Sequence, residues 1–108
     1  MYFVNMVELQ QTDSNSYSIL VNDREVGYIK ISENYLTQIE IFDDEKRKER
    51  NNGYGTEAIK QLLKLKESDG YDCLKTNTIV NPIFQEILED IGFDKTDDSM
   101  SNKYKYTF

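Results

Sequence analysis

The sequence predicts an α+β fold: a mixed, mostly antiparallel twisted sheet with a central parallel strand pair and two main helices. Three observations predict it. Short strand-like runs broken by polar turns occupy the first part of the chain, up to Phe42. The hydrophobic period then switches from two to about 3.6 residues over a stretch that begins near Gly55. A further strand-like run follows that helix, so the strands on either side of it are expected to be parallel neighbours joined by a right-handed crossover. With 108 residues, the chain is read as a single domain, 1–108, with one modest core, folding alone or as a small oligomer.

Taken in order, Tyr2 to Leu9 alternates loosely and reads as a first strand, and Gln10 to Ser16 as a polar turn. Tyr17 to Val21 and Glu25 to Ile31 flank Asn22-Asp23-Arg24 and predict a hairpin, with Ser32-Glu33-Asn34 as the next turn. The strand Leu36 to Phe42 places Leu36, Gln38, Glu40 and Phe42 on one face and Thr37, Ile39 and Ile41 on the other, the second face being expected to be the more buried. Ala58, Ile59, Leu62, Leu63 and Leu65 then recur at helical spacing, and Ser68-Asp69-Gly70 is the stop. Tyr71 to Val80 reads as a strand. Asn81 is an N-cap with Pro82 at the first helical position, and Ile83, Phe84, Ile87, Leu88 and Ile91 form an apolar stripe ended by Gly92. Phe93 to Lys95 and Lys103 to Phe108 can close a last hairpin.

Composition excludes several function classes. No apolar run is long enough to span a bilayer, and the N-terminus lacks the basic start and apolar core of a signal peptide, so no membrane partner and a cytoplasmic location are expected. The lone Cys73 cannot form an internal disulfide and is read as a small buried thiol; the lack of His removes the commonest metal ligand and neutral-pH base. No metal site is expected. A formal net charge of -7 argues against a nucleic-acid surface and favours a cationic partner.

One segment departs from this acidic background. Lys46-Arg47-Lys48-Glu49-Arg50 holds four basic residues within five positions, immediately ahead of Asn51-Asn52-Gly53-Tyr54-Gly55-Thr56. A glycine-bearing loop that feeds a helix N-terminus aims backbone N–H groups and the positive end of the helix dipole at one spot, which suits a phosphate. No Gly-Lys-Ser/Thr follows the glycines, so a nucleotide-hydrolase P-loop is disfavoured.

The strand order, the Arg50-x-x-Gly53-x-Gly55 loop, and Asn81 followed eleven and twelve residues later by Gly92-Phe93 resemble the GNAT superfamily of acyl-CoA-dependent N-acyltransferases. The resemblance covers roughly the last three-quarters of the chain. It implies that acetyl-CoA is the cosubstrate and that Arg50, Asn51, Asn52, Gly53, Tyr54, Gly55 and Thr56 hold its pyrophosphate, the two glycines letting the backbone come close. It also implies that pantetheine pairs with backbone near Ile41 and Phe42, where the Leu36 strand splays from the Tyr71 strand, and that Asn81 flanks the thioester arm as well as capping its helix. Glu40 is the candidate base, and a backbone N–H near Phe42 the group that polarises the thioester oxygen.

The departures from the family pattern are specific. Asp43 to Glu49 make a longer approach to the loop than is usual, and only Gln10 to Ser16 stands where two helices normally wall the acceptor pocket. Leu88 occupies the place where many members carry a Tyr that protonates the leaving thiolate, and Phe84 stands where many have a small residue. Tyr104 and Tyr106 could reach the acceptor side as replacement proton donors, although Tyr is common in strands for packing alone. Two functions follow: an acetyl-CoA-dependent N-acetyltransferase acting on a primary amine, including one of a protein, or a catalytically degenerate relative working as a binding or inhibitory module.

Overall fold

In the computed structural model, which describes residues 6–46, 49, 52–77, 79, 81–96 and 102–108, seven strands and two helices are found. They are β1 (Val7–Asp13), β2 (Ser16–Val21), β3 (Arg24–Ser32), β4 (Tyr35–Ile41), α1 (Tyr54–Ser68), β5 (Cys73–Thr76), α2 (Pro82–Ile91), β6 (Asp94–Lys95) and β7 (Tyr104–Thr107). One sheet contains all the strands in the order β1-β2-β3-β4-β5-β7-β6. Only β4 and β5 run parallel; every other neighbouring pair is antiparallel. The α+β expectation, with its central parallel pair and two helices, holds.

The first strand is longer at its C-terminal end than the sequence pattern implied. Gln10 to Asp13 continue β1 instead of forming a turn, and only Ser14 and Asn15 turn the chain. These polar residues are tolerated because β1 is an edge strand and this stretch of it is exposed. The next hairpin also turns on two residues. Asn22 and Asp23 have φ of 51° and 64°, the pair of positive values whose twist matches the flanking strands, and Arg24 already belongs to β3. The strand predicted over Tyr71 to Val80 is regular only over Cys73–Thr76, and Thr78 and Val80 lie outside the described residues.

A bulge overturns the expected faces of β4. Lys30 pairs with Gln38 but Ile31 pairs with Leu36, so Thr37 is the extra residue. Strict alternation would put Leu36 opposite to Ile41; the extra residue brings both to the buried side, where they are 1% and 5% exposed. Ile39 joins them, while Gln38 and Glu40 face the other way.

Both helices cover the same face of the sheet. Ile19, Ile29, Ile31, Leu36 and Leu74 from the strands, Ala58, Ile59 and Leu62 from α1 and Leu88 from α2 form one continuous apolar cluster. Fully burying each Ile or Leu contributes about 1.5–3 kcal/mol, which holds α1 down through its Ile59 and Leu62 row. Helix α2 is fixed at both ends: Asn81 Oδ1 accepts from Ile83 N–H at 2.8 Å, Pro82 opens it, and Gly92, with φ of 119°, closes it as Phe93 N–H reaches back to Leu88 O. The opposite face of the sheet carries Tyr28, Lys30, Gln38 and Glu40, and no described helix lies over it.

Candidate functional site

The central parallel pair is short. Its register contains only Tyr35 opposite Lys75 and Leu36 opposite Thr76, extended by Asn77 N–H donating to Leu36 O at 3.3 Å. Beyond that point β4 continues to Ile41 beside β3, whereas the chain after β5 turns toward β7, with Ile79 N–H bonded to Asn102 O at 2.8 Å. The two parallel strands therefore separate into a wedge. Its mouth is at the carboxyl ends of the pair, which is where α/β sheets generally receive ligands.

The head of α1 stands at that mouth. Its N-cap is Gly53, in the left-handed region with φ of 77°, and no side chain among the described residues caps the helix. Among the described residues nothing pairs with the amides of Tyr54, Gly55 and Thr56 that begin the helix, so their N–H groups and the helix dipole face an anion's approach. A cleft of about 110 Å³ opens here, lined by Ile41 from β4, Gly53 to Thr56, and Asn81, Ile83, Phe84 and Ile87 around α2. A Cβ built on Gly53 would meet nothing within 4 Å. The bend is open.

One carboxylate also borders the cleft. Glu49 is bonded by Arg24 through both guanidinium donors, Nε and one Nη, at 3.0 Å each, its N–H donates to Phe42 O, and its carbonyl accepts from Asn52 Nδ2. The hydrogen bond to Glu49 and the charge of that carboxylate raise the Arg24 pKa above its ordinary value, with a smaller contribution from Tyr54. Arg24 therefore both neutralises Glu49 and ties the loop to the β2–β3 hairpin. Sequence offered no signal for this pair, because its members are separated by 25 positions and meet only through the sheet.

No family model and no curated protein matches this chain by sequence. Its shape does find matches. A GCN5-related N-acetyltransferase of Rhodopseudomonas palustris superposes with a TM-score of 0.68 at 14% identity, over 86% of this chain and 61% of the other. A candidate N-acetyl transferase of E. coli, YhhK, determined by solution NMR bound to coenzyme A, superposes with a TM-score of 0.65 at 14% identity, over 91% of this chain and 76% of the other. The chain has the GNAT fold. It thus spans about three-fifths of the length of the first of these structures.

Within the GNAT fold the residues singled out from sequence separate into groups. Gly53, Tyr54, Gly55, Thr56, Ile41 and Asn81 converge on the one cleft. Arg50 and Asn51 lie outside the described residues, and Asn52 beside them bonds Glu49 O. Phe42 does not fit the role of polarising donor or of pairing partner through its own amide, because its N–H is already given to Val26 O at 2.9 Å. Glu40 is half-buried on the face without helices, opposite Tyr28.

Tyr104 is placed on the other side of the sheet. It is 1% exposed among core residues, with its hydroxyl donating to Glu89 Oε1 at 3.2 Å on α2. It faces away from Glu40, and Tyr106, two residues on in the same strand, shares the helix-covered side and packs on Phe93. By strand parity both tyrosines therefore lie on the helix-covered side, opposite to Glu40. Burial, reinforced by the Glu89 carboxylate, pushes the Tyr104 phenol above its usual 10.0. Cys73 is a buried free thiol, as expected. Among the described residues no cluster of His, Cys, Asp and Glu could hold a metal ion, and no helix is long and apolar enough to cross a membrane.

Proposed function

We propose that this chain is an acetyl-CoA-dependent N-acetyltransferase acting on a primary amine. The observation that carries the reading is the uncapped head of α1, at Gly53 to Thr56, standing open at the mouth of the β4–β5 wedge. Amides so arranged bind a diphosphate without needing a charged side chain. The wedge beside Ile41 accommodates an extended, thin arm, and Asn81 and Ile83 flank it from α2. The bound cosubstrate supplies a thioester activated toward attack by a neutral amine. Glu40, on the uncovered face, accepts the proton that the ammonium must lose before it can react. The coenzyme A held by the YhhK structure supports the cosubstrate class, and the single cysteine suits a cytoplasmic setting.

A second reading is favoured by a different observation. The cleft is narrow because Phe84 packs on Gly55, and Leu88, where the family resemblance implies a proton-donating Tyr, is buried in the core, so a GNAT-fold module that binds without turning over is the alternative. Calorimetric titration with acetyl-CoA, followed by mass spectrometry of peptides and polyamines incubated with the protein, decides between them. Saturable binding with acetylated product supports the enzyme; binding without product across acceptors supports the module; no binding overturns both cosubstrate readings.

A further inference from the structure

The face of the sheet that no described helix covers holds a second hollow, of about 320 Å³, lined by Tyr35, Lys75, Thr76, Lys103 and Lys105 among others. In a chain of formal net charge -7 this is an unusual place for three lysines. No Asp or Glu among the described residues lines it. Lys75 and Lys105 sit directly opposite each other on β5 and β7, an arrangement of like charges that costs stability. Neither they nor Lys103 form an ion pair among the described residues; Lys75 only lies over the Tyr35 ring, 5.6 Å from its centre. Asp94 faces Lys105 across β6 and β7 without an ion pair among the described residues, and the three cations of the described lining outnumber it, which marks a place where an anion is expected.

Its position relates it to the wedge. Tyr35 and Lys75 are one rung of the parallel pair, and Thr76 with Asn77 marks the point from which the strands diverge. Tyr35, Gln38 and Glu40 lie along β4 on this same face, by way of their partners Ser32, Lys30 and Tyr28. We propose that this hollow binds a carboxylate or phosphate carried by the amine acceptor, so that the acceptor lies across the open face with its amine at Glu40 and its anionic group among Lys75, Lys103 and Lys105.

This rests on the acyltransfer reading above. Tyr35 and Glu40 face Ser32 and Tyr28, four positions apart in β3, and at about 3.3 Å per position the two groups are separated by about 13 Å. An extended peptide bearing an acidic side chain four or five residues after its free N-terminal amine matches that span. The local charge thereby selects against the polycationic acceptor that the overall charge of the chain would attract.

The test uses a fluorescently labelled peptide with a free N-terminus and Glu at its fifth residue, its Gln counterpart, and the intact protein without coenzyme A. Anisotropy at low salt is expected to show the Glu peptide binding at least tenfold more tightly, with the double variant Lys75→Gln and Lys105→Gln reducing that preference to less than twofold. Lys103→Gln, outside the strand ladder, is expected to reduce it partway and keeps the test open if the double variant does not fold. Stronger competition by acetate than by inorganic phosphate assigns the site to carboxylate, and the reverse to phosphate. Equal affinity for the two peptides, a preference surviving in the double variant, or competition by neither anion overturns the proposal. Calorimetry with coenzyme A on the same variants separates the two readings, because loss of coenzyme A binding with retained lysine-dependent peptide binding removes only the acyltransfer assignment.

Discussion

The ring of Phe84 closes over the backbone of Gly55: a Cβ added to Gly55 would stand 3.3 Å from Phe84 Cε1 and 3.8 Å from Ile41 Cγ1. Phe84 is a half-buried side chain and can yield by a few tenths of an ångström. Gly55→Ala also gains helix propensity of about 0.5–1 kcal/mol, so its urea unfolding free energy is expected to stay within about 1 kcal/mol of the parent. Gly27→Ala should behave differently, because its Cβ would collide with the Glu40 carbonyl in the neighbouring strand, a backbone atom that cannot step aside. That variant is expected to lose more than about 3 kcal/mol, and a loss below about 1 kcal/mol would show that β3 and β4 pair otherwise.

Gly53 separates conformation from contact. Space around it is open, yet its φ of 77° costs an L-residue about 1–2 kcal/mol. Gly53→Ala should lower stability by about that amount, while a bulky residue such as Gly53→Leu, projecting into the anion's approach, should abolish coenzyme A binding in calorimetry. Unchanged affinity in the Leu variant would mean that the head of α1 does not hold the diphosphate.

Glu40→Gln keeps the shape of the side chain and removes its basicity. If Glu40 takes the amine proton, kcat/KM should fall about 100-fold, with coenzyme A affinity unchanged within twofold. The loss should shrink as pH rises and the free amine forms unaided. A pH-independent loss would point to a packing role beside Tyr28.

Tyr104 predicts an alkaline limit to stability. Its phenol titrates higher in the folded protein than the ordinary 10.0, so the folded state holds the proton more tightly than the unfolded chain. The resulting stabilisation is complete below about pH 10 and is lost as pH rises from there through the folded value. Tyr104→Phe, which cannot ionise, should unfold at urea midpoints that vary less between pH 9 and pH 11 than the parent's. An equal decline in both proteins would assign the alkaline loss elsewhere.

Leu88 is 1% exposed and is the anchor of α2 in the core. Leu88→Tyr would not restore a proton donor; it would overpack the interior and cost about 1–3 kcal/mol without raising the rate of acetyl transfer. A faster Leu88→Tyr enzyme of unchanged stability would show that this position faces the wedge.

Much of the fold was readable along the chain because it is written in local chemistry. Asn81-Pro82 and Gly92 bracket α2, Ser68-Asp69-Gly70 ends α1, and Asn22-Asp23 turns a hairpin, each through the conformational preferences of the residues themselves. The glycines at the head of α1 were legible for the same reason. The faces of β4 were not. One bulged residue, Thr37, reverses the parity of everything before it, and nothing in residues 35–42 taken alone says where the extra residue falls.

The sequence by itself therefore determined the kinds and order of the elements and the amide-lined turn into α1, since caps, turns and hydrophobic period act within a few residues. Tertiary structure alone decided which side of the sheet each group meets: Glu40 on the face without a described helix, Tyr104 beneath α2, Arg24 locked to Glu49, and Lys75 set against Lys105. Those relations follow from strand register and the divergence of β4 from β5, which are set by the packing of the whole core.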